Sequence, residues 1–200
     1  GNIVNESNQL SNNRGFLFGD AVFETLRVIS NYIPFWEDHY FRLMASMRVL
    51  RFNIPDSFTP EFLKNEILKL NITSNLGLNS RIRITVYRNS SGRYKPITND
   101  IGYIINIDRI ENSKYFIEKK EVKVDLYKDY FISNQLVHSI KSNNKSINVL
   151  ASIYASENDL DNCILLNDRK MVCEFINGNL LYIKNQKIYT PDLKSGCLNG

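Results

Sequence analysis

The stretch Arg81-Ile-Arg-Ile-Thr-Val-Tyr87 sets Ile82, Ile84 and Val86 against Arg81, Arg83, Thr85 and Tyr87. A period of two is that of a strand with one face in a core, so the chain must supply partner strands and a covering layer. Phe16-Leu-Phe-Gly-Asp20 and Val22-Phe-Glu-Thr-Leu-Arg-Val-Ile29 have the bulky, β-branched character of such partners, with Gly19-Asp20 as punctuation and Ser30-Asn31 as a hairpin turn. Ile101 to Ile107 is more continuously apolar and predicts a strand in the middle of a sheet. Two helices are expected to cover it. One starts at Glu37-Asp38 through a side-chain cap and carries Leu43, Met47 and Leu50. The other is capped by Thr59, has Pro60 in its first turn and shows the stripe Leu63, Ile67, Leu70.

Further on, Val122, Val124 and Leu126 alternate, and Ile147, Leu150, Ala151 and Tyr154 form a helical face. Cys163–Leu166 with Met171–Phe175, and Leu180–Lys184 with Ile188–Thr190, predict two hairpins. The order of elements predicts an α+β protein. A small two-layer α/β domain spans residues 1–108, a linker and first strand residues 109–132, and a strand-rich larger domain residues 133–200. The opening from Asn2 to Asn13 is polar and reads as a loop or hairpin edge, and the charged run Asp108–Lys120 as the linker.

Composition excludes some functions. A net charge of +4, with Lys and Arg spread along the chain, does not favour nucleic-acid binding but suits an anionic small molecule. Cys163, Cys173 and Cys197 have no metal-ligand spacing, and with only His39 and His138 a zinc site is not expected. Reduced, buried cysteines in a cytoplasmic enzyme are the expectation, with no signal peptide and no membrane-spanning run.

Chemistry concentrates in two segments. Ser139-Ile-Lys141-Ser-Asn-Asn144-Lys145 carries a lysine that can form a Schiff base. About thirty residues later, Glu174-Phe-Ile-Asn-Gly-Asn179 carries a carboxylate that can hold a pyridine nitrogen. On residues alone Lys141 competes with the ordinary solvated lysine and with Lys145 beside it. Glu174 competes with a surface glutamate, although Cys173 and Phe175 make an uncomfortable setting for one. His39 reads as structural, and Asp20 and Glu24 as turn anchors pairing with Arg14 or Arg27.

These two segments follow Arg14-Gly-Phe-Leu-Phe-Gly-Asp20-Ala-Val-Phe-Glu-Thr25-Leu-Arg27 and His39-Tyr-Phe-Arg42-Leu in an order that resembles the class IV aminotransferase family, the fold-type IV pyridoxal phosphate (PLP) enzymes. The resemblance runs from about Arg14 to the last residue and implies a D-amino-acid aminotransferase-like fold. It implies PLP as cofactor, a small-molecule amino substrate, and a homodimer with the active site between domains. Lys141 matches the Schiff-base lysine, Glu174 the partner of the pyridinium nitrogen, Arg42 the phosphate arginine, and Asn179 the asparagine near the cofactor. Ser195-Gly-Cys-Leu-Asn-Gly200 matches the start of the phosphate loop, so Gly196, Cys197 and Leu198 are implied cofactor contacts. The family's later elements have no counterpart here, so the large domain is expected to be truncated at the C-terminus.

Within the family the wording is closest to 4-amino-4-deoxychorismate lyase, which makes 4-aminobenzoate, a folate precursor, and pyruvate. Three features carry that likeness. Thr25 stands where branched-chain enzymes tend to have Gly, Asn144 follows Lys141 by three residues as in lyases and D-amino-acid enzymes, and Arg88-Asn-Ser-Ser-Gly92-Arg93-Tyr94-Lys-Pro96 is similar to the lyase stretch, one residue shorter and with Asn89 and Ser91 in place of glycines. Phe23, Thr25, Arg88 and Arg93 are the substrate-side residues implied. A branched-chain or D-amino-acid transaminase, and a non-catalytic binding relative, are the competing expectations.

Overall fold

The computed structural model describes residues 11–74, 79–111, 114 and 121–200. Asn2 to Leu10 of the polar opening, and residues 112, 113 and 115–120 of the expected linker, lie outside the described residues. The chain divides into two compact units, Gly1–Phe116 and Ile117–Gly200.

In the first unit the apolar Phe16–Phe18 run, expected as strand, is the end of a short helix, α1 (Arg14–Phe18). The Asn13 side chain accepts the Phe16 N–H at 3.1 Å, and Gly19 closes the helix at φ 63°. Strand β1 (Ala21–Ile29) follows, and Ser30 and Asn31 make the expected turn with φ 49° and 63°. Helix α2 (Trp36–Val49) starts without a side-chain cap: Phe35 holds the N-cap position, and Glu37 and Asp38 sit in the first turn, where they face the positive end of the dipole instead. Helix α3 (Pro60–Thr73) is capped by Thr59 as expected.

Strands β1, β2 (Asn79–Arg88) and β3 (Ile101–Arg109) form an antiparallel sheet in the order β1-β2-β3. The alternating strand therefore holds the centre. The Ile101–Ile107 run, expected there, is an edge among the described residues, with Ile104 half exposed. One face of β1 and β2 buries Val22, Leu26, Val28, Ile82, Ile84 and Val86, and Leu43, Met47, Leu63 and Ile67 of α2 and α3 are buried with them.

The second unit is built on β4 (Val124–Ile132), α4 (Leu136–Ser139), α5 (Ser146–Glu157), β5 (Asn162–Asn167) and β6 (Val172–Phe175). Strands β4 and β5 are parallel, so the helices supply the crossover that parallel pairing requires, and β6 folds back antiparallel on β5. Tyr127, Ile132, Ala151, Ala155, Leu165 and all three cysteines make its core; the cysteines are free thiols. Leu150, expected on the buried face of α5, is 40% exposed, and Ala151 and Ala155 take the core side. A small hairpin, β7 (Tyr182–Lys184) and β8 (Lys187–Tyr189), turns through Asn185 and Gln186, both at positive φ.

Candidate active site

In the second unit the chain from Ser195 to Gly200 is folded onto the β6 end. A short 3-10 turn, Leu193–Ser195, is capped by Asp192, and Gly196 reverses the chain at φ 92°. A side chain could not stand at Gly196, because its Cβ would lie 2.8 Å from the Ser133 carbonyl oxygen. Asn167, buried in the β5–β6 turn, donates to the Ser195 carbonyl at 3.1 Å. The Cys173 thiol reaches the same oxygen at 3.1 Å, and burial pushes that thiol up to about 11. It is a structural donor rather than a nucleophile.

This anchoring places the Leu198 N–H 2.6 Å from Oε2 of Glu174, whose residue is 9% exposed. Burial raises the Glu174 carboxyl above the usual carboxylate range, opposed by the Leu198 N–H and by the charge of Lys145. Lys145 is lowered by burial first. The charge of Glu174 opposes that fall and the charge of Lys141 adds to it. Lys141, Lys145 and Glu174 therefore share one electrostatic neighbourhood. Lys141 itself is half-buried in the loop between α4 and α5. Asn179 is exposed, and a side chain at Gly200 would collide with its amide, which places the two side by side. Of the cofactor residues expected in this unit, Glu174 and Leu198 are thus hydrogen-bonded, Gly196 and Cys197 form the buried bend leading to them, and Asn179 stands beside the last residue, Gly200.

Among the described residues, two buried atoms here have no hydrogen-bond partner, His138 Nδ1 and Ser195 Oγ. Burial and the charge of Lys145 lower His138. Neither residue was singled out by its sequence pattern for a role, and a lone His three positions before Lys141 carries no distinctive spacing.

In the first unit β1 presents two faces. Inward, Glu24 is 1% exposed and receives Arg42 through Nε at 2.8 Å and Nη2 at 2.9 Å. His39 Nδ1 lies 3.3 Å from Glu24. Glu24 thus pairs with Arg42 and His39. On the opposite face lie Phe23 and Thr25, and the Arg83 guanidinium stacks 3.7 Å from the Phe23 ring centre. Arg83 pairs in register with Thr25 and is lowered by burial and by the Arg81 charge. Sequence reasoning passed over Arg83, although the alternation of β2 already put it on the face away from the core.

Arg88 and Arg93 were expected on the substrate side. Arg88 is 7% exposed and spends its guanidinium on Asp20, Asn99 and the Leu50 carbonyl. Asp20 also binds Arg14, which in turn holds the carbonyls of Gly92, Arg93 and Tyr94. Arg88 is therefore a buried framework group, whereas the Arg93 side chain is exposed on the loop this framework shapes. Among the described residues no group of three or more His, Cys, Asp or Glu residues could hold a metal ion, and no helix is long and apolar enough to cross a membrane.

The family profile described as amino-transferase class IV matches residues 21–200. An aminodeoxychorismate lyase of Vibrio harveyi is 24% identical over 190 residues, 94% of this chain and 66% of that protein. Among solved structures, a candidate 4-amino-4-deoxychorismate lyase from Legionella pneumophila superposes with a TM-score of 0.82 at 25% identity, over 94% of this chain and 68% of that one. The PLP form of a branched-chain amino acid aminotransferase from Thermobaculum terrenum superposes with a TM-score of 0.77 at 24% identity, over 90% of this chain and 60% of that one. The chain thus spans 60–68% of the length of these three proteins.

Proposed function

The chain belongs to the amino-transferase class IV family, and on that premise we propose that it acts as a PLP-dependent 4-amino-4-deoxychorismate lyase. The observation that carries the cofactor reading is Glu174, a buried carboxylate that receives one backbone N–H on Oε2 beside two lysines. A pyridinium N–H is the donor such a group suits: it is cationic, flat, and needs one acceptor in a dry setting. The donor set of the second unit fits PLP: Glu174 would hold the ring nitrogen, Lys141 the aldehyde carbon and the Gly196–Leu198 bend the phosphate. Arg42, in the first unit, is the phosphate arginine that the family resemblance implies.

When bound, PLP supplies an electron sink for the carbanion left as a proton departs the substrate carbon next to nitrogen. Lys141 Nζ is the group assigned to take that proton. Glu174, whose burial is opposed by the Leu198 N–H and by the charge of Lys145, is assigned to hold the ring nitrogen protonated. For the lyase, the proton held on Lys141 Nζ would pass to the departing enolpyruvate, which leaves as pyruvate, and the substrate ring would become that of 4-aminobenzoate. The polar face with Phe23, Thr25 and Arg83 suits a substrate that is both flat and anionic.

Supporting the lyase over a branched-chain transaminase are Thr25, Asn144 and the Arg88–Pro96 stretch, together with the likeness to the Vibrio harveyi and Legionella pneumophila proteins. The likeness to the branched-chain enzyme favours a transaminase as second reading. Pyruvate release from 4-amino-4-deoxychorismate, with no keto-acid acceptor added, separates them. Release with equimolar 4-aminobenzoate is expected. Activity only with an added keto acid would overturn the lyase reading. A cytoplasmic homodimer working in folate synthesis completes the proposal.

A further inference from the structure

Strand β1 carries a fully buried carboxylate at Glu24, one residue from each of Phe23 and Thr25 on the opposite face. Its two oxygens accept Arg42 Nε and Nη2 in a two-point clamp, and Oε1 also accepts the Thr25 backbone N–H at 2.8 Å. His39 closes the cluster from the first turn of α2, with Nδ1 3.1 Å from Arg42 Nη2. Lower on the same helix, Ser46 Oγ donates to the Arg42 carbonyl at 2.9 Å.

A guanidinium has a Nε/Nη2 edge and a remaining amino group, Nη1. Glu24 occupies the first, and among the described residues no hydrogen bond is made by Nη1. The guanidinium is planar, so fixing one edge fixes the direction in which Nη1 points. A long arginine side chain otherwise loses rotamer freedom when it binds an anion, a cost that a clamp already in place removes. Burying a carboxylate is unfavourable unless it is paired, so the pairing is also what permits Glu24 to stand on the core side of β1.

We propose that Glu24 is a positioning residue for anion recognition: it clamps the Nε/Nη2 edge of Arg42 and so presents Nη1 to the cofactor phosphate, with His39 as the third member of the cluster. This rests on the reading of Arg42 as the phosphate arginine. It also ties the strand that carries Phe23 and Thr25 to the phosphate contact.

The test compares the binding of PLP with that of pyridoxal, which lacks the phosphate, to apoprotein of the wild type, Glu24→Gln, Arg42→Ala and the double variant. Absorbance titration gives both dissociation constants without turnover. Glu24→Gln is expected to weaken PLP roughly tenfold and leave pyridoxal unchanged, as for loss of one charged hydrogen-bond pair. Adding Glu24→Gln to Arg42→Ala is expected to change nothing further, because Glu24 acts through Arg42. Wild-type PLP affinity in Glu24→Gln, or an equal loss for PLP and pyridoxal, would overturn the proposal while leaving Arg42 in its role. If instead Arg42→Ala keeps the wild-type preference for PLP over pyridoxal, the reading of Arg42 itself fails, and the proposal with it. Should Glu24→Gln not fold, Glu24→Asp keeps the buried charge but shortens its reach. An unchanged PLP-to-pyridoxal ratio in that variant would equally overturn the clamp.

Discussion

At the scale of single residues, Glu174 shows how a group can be named from sequence while its environment stays hidden. Its place between Cys173 and Phe175 already made a solvated glutamate uncomfortable. The N–H that meets it belongs to Leu198, on a different segment that only the Gly196 bend brings near. The Glu24–Arg42 pair was equally hidden: the two stand on different elements, and Arg14 and Arg27 looked like nearer partners. Side-chain pairs between elements follow from three-dimensional packing and not from spacing. A pH effect follows from Glu174. Its folded-state value is raised, so its contribution to stability is fully present below the usual carboxylate range and is lost as pH rises through the raised value. In the apoprotein, Glu174→Gln should therefore melt above the wild type at neutral pH, with the gap closing on acidification. A gap independent of pH would contradict the assigned cause.

At the scale of elements, the period of two at Arg81–Tyr87 was decisive, and β2 lies where it said. Local apolar character was a poorer guide. Phe16–Phe18 looked like strand, yet the Asn13 cap and Gly19 close a single helical turn around it. Ile101–Ile107 looked central, yet a run of isoleucines does not report how many neighbours a strand has. Two stability predictions belong here. Ile84→Ala empties a site in the first unit that is 1% exposed, and should cost roughly 2–5 kcal/mol by urea denaturation. Gly196→Ala forces a Cβ against Ser133 at positive φ and should cost about 1–3 kcal/mol. It should also weaken PLP binding through displacement of Leu198. A variant with unaltered PLP affinity would remove the bend from the proposed site.

At the scale of the whole molecule, the order of four short motifs was what made the family legible, although each alone was ambiguous. Substrate choice was less legible, because it depends on which face of β1 and β2 meets the ligand. Arg83 packs on Phe23, on the face of β1 away from the core, whereas the Arg88 guanidinium is buried on Asp20. The proposed homodimer predicts twice the chain's 23.2 kDa in sedimentation equilibrium, and the mass of a single chain would contradict it. The most direct test of the central claim is to reduce the PLP-loaded protein with borohydride and map the modified peptide by mass spectrometry. A phosphopyridoxyl group on Lys141 is the predicted result; the group on Lys145, or on no lysine, would contradict the account.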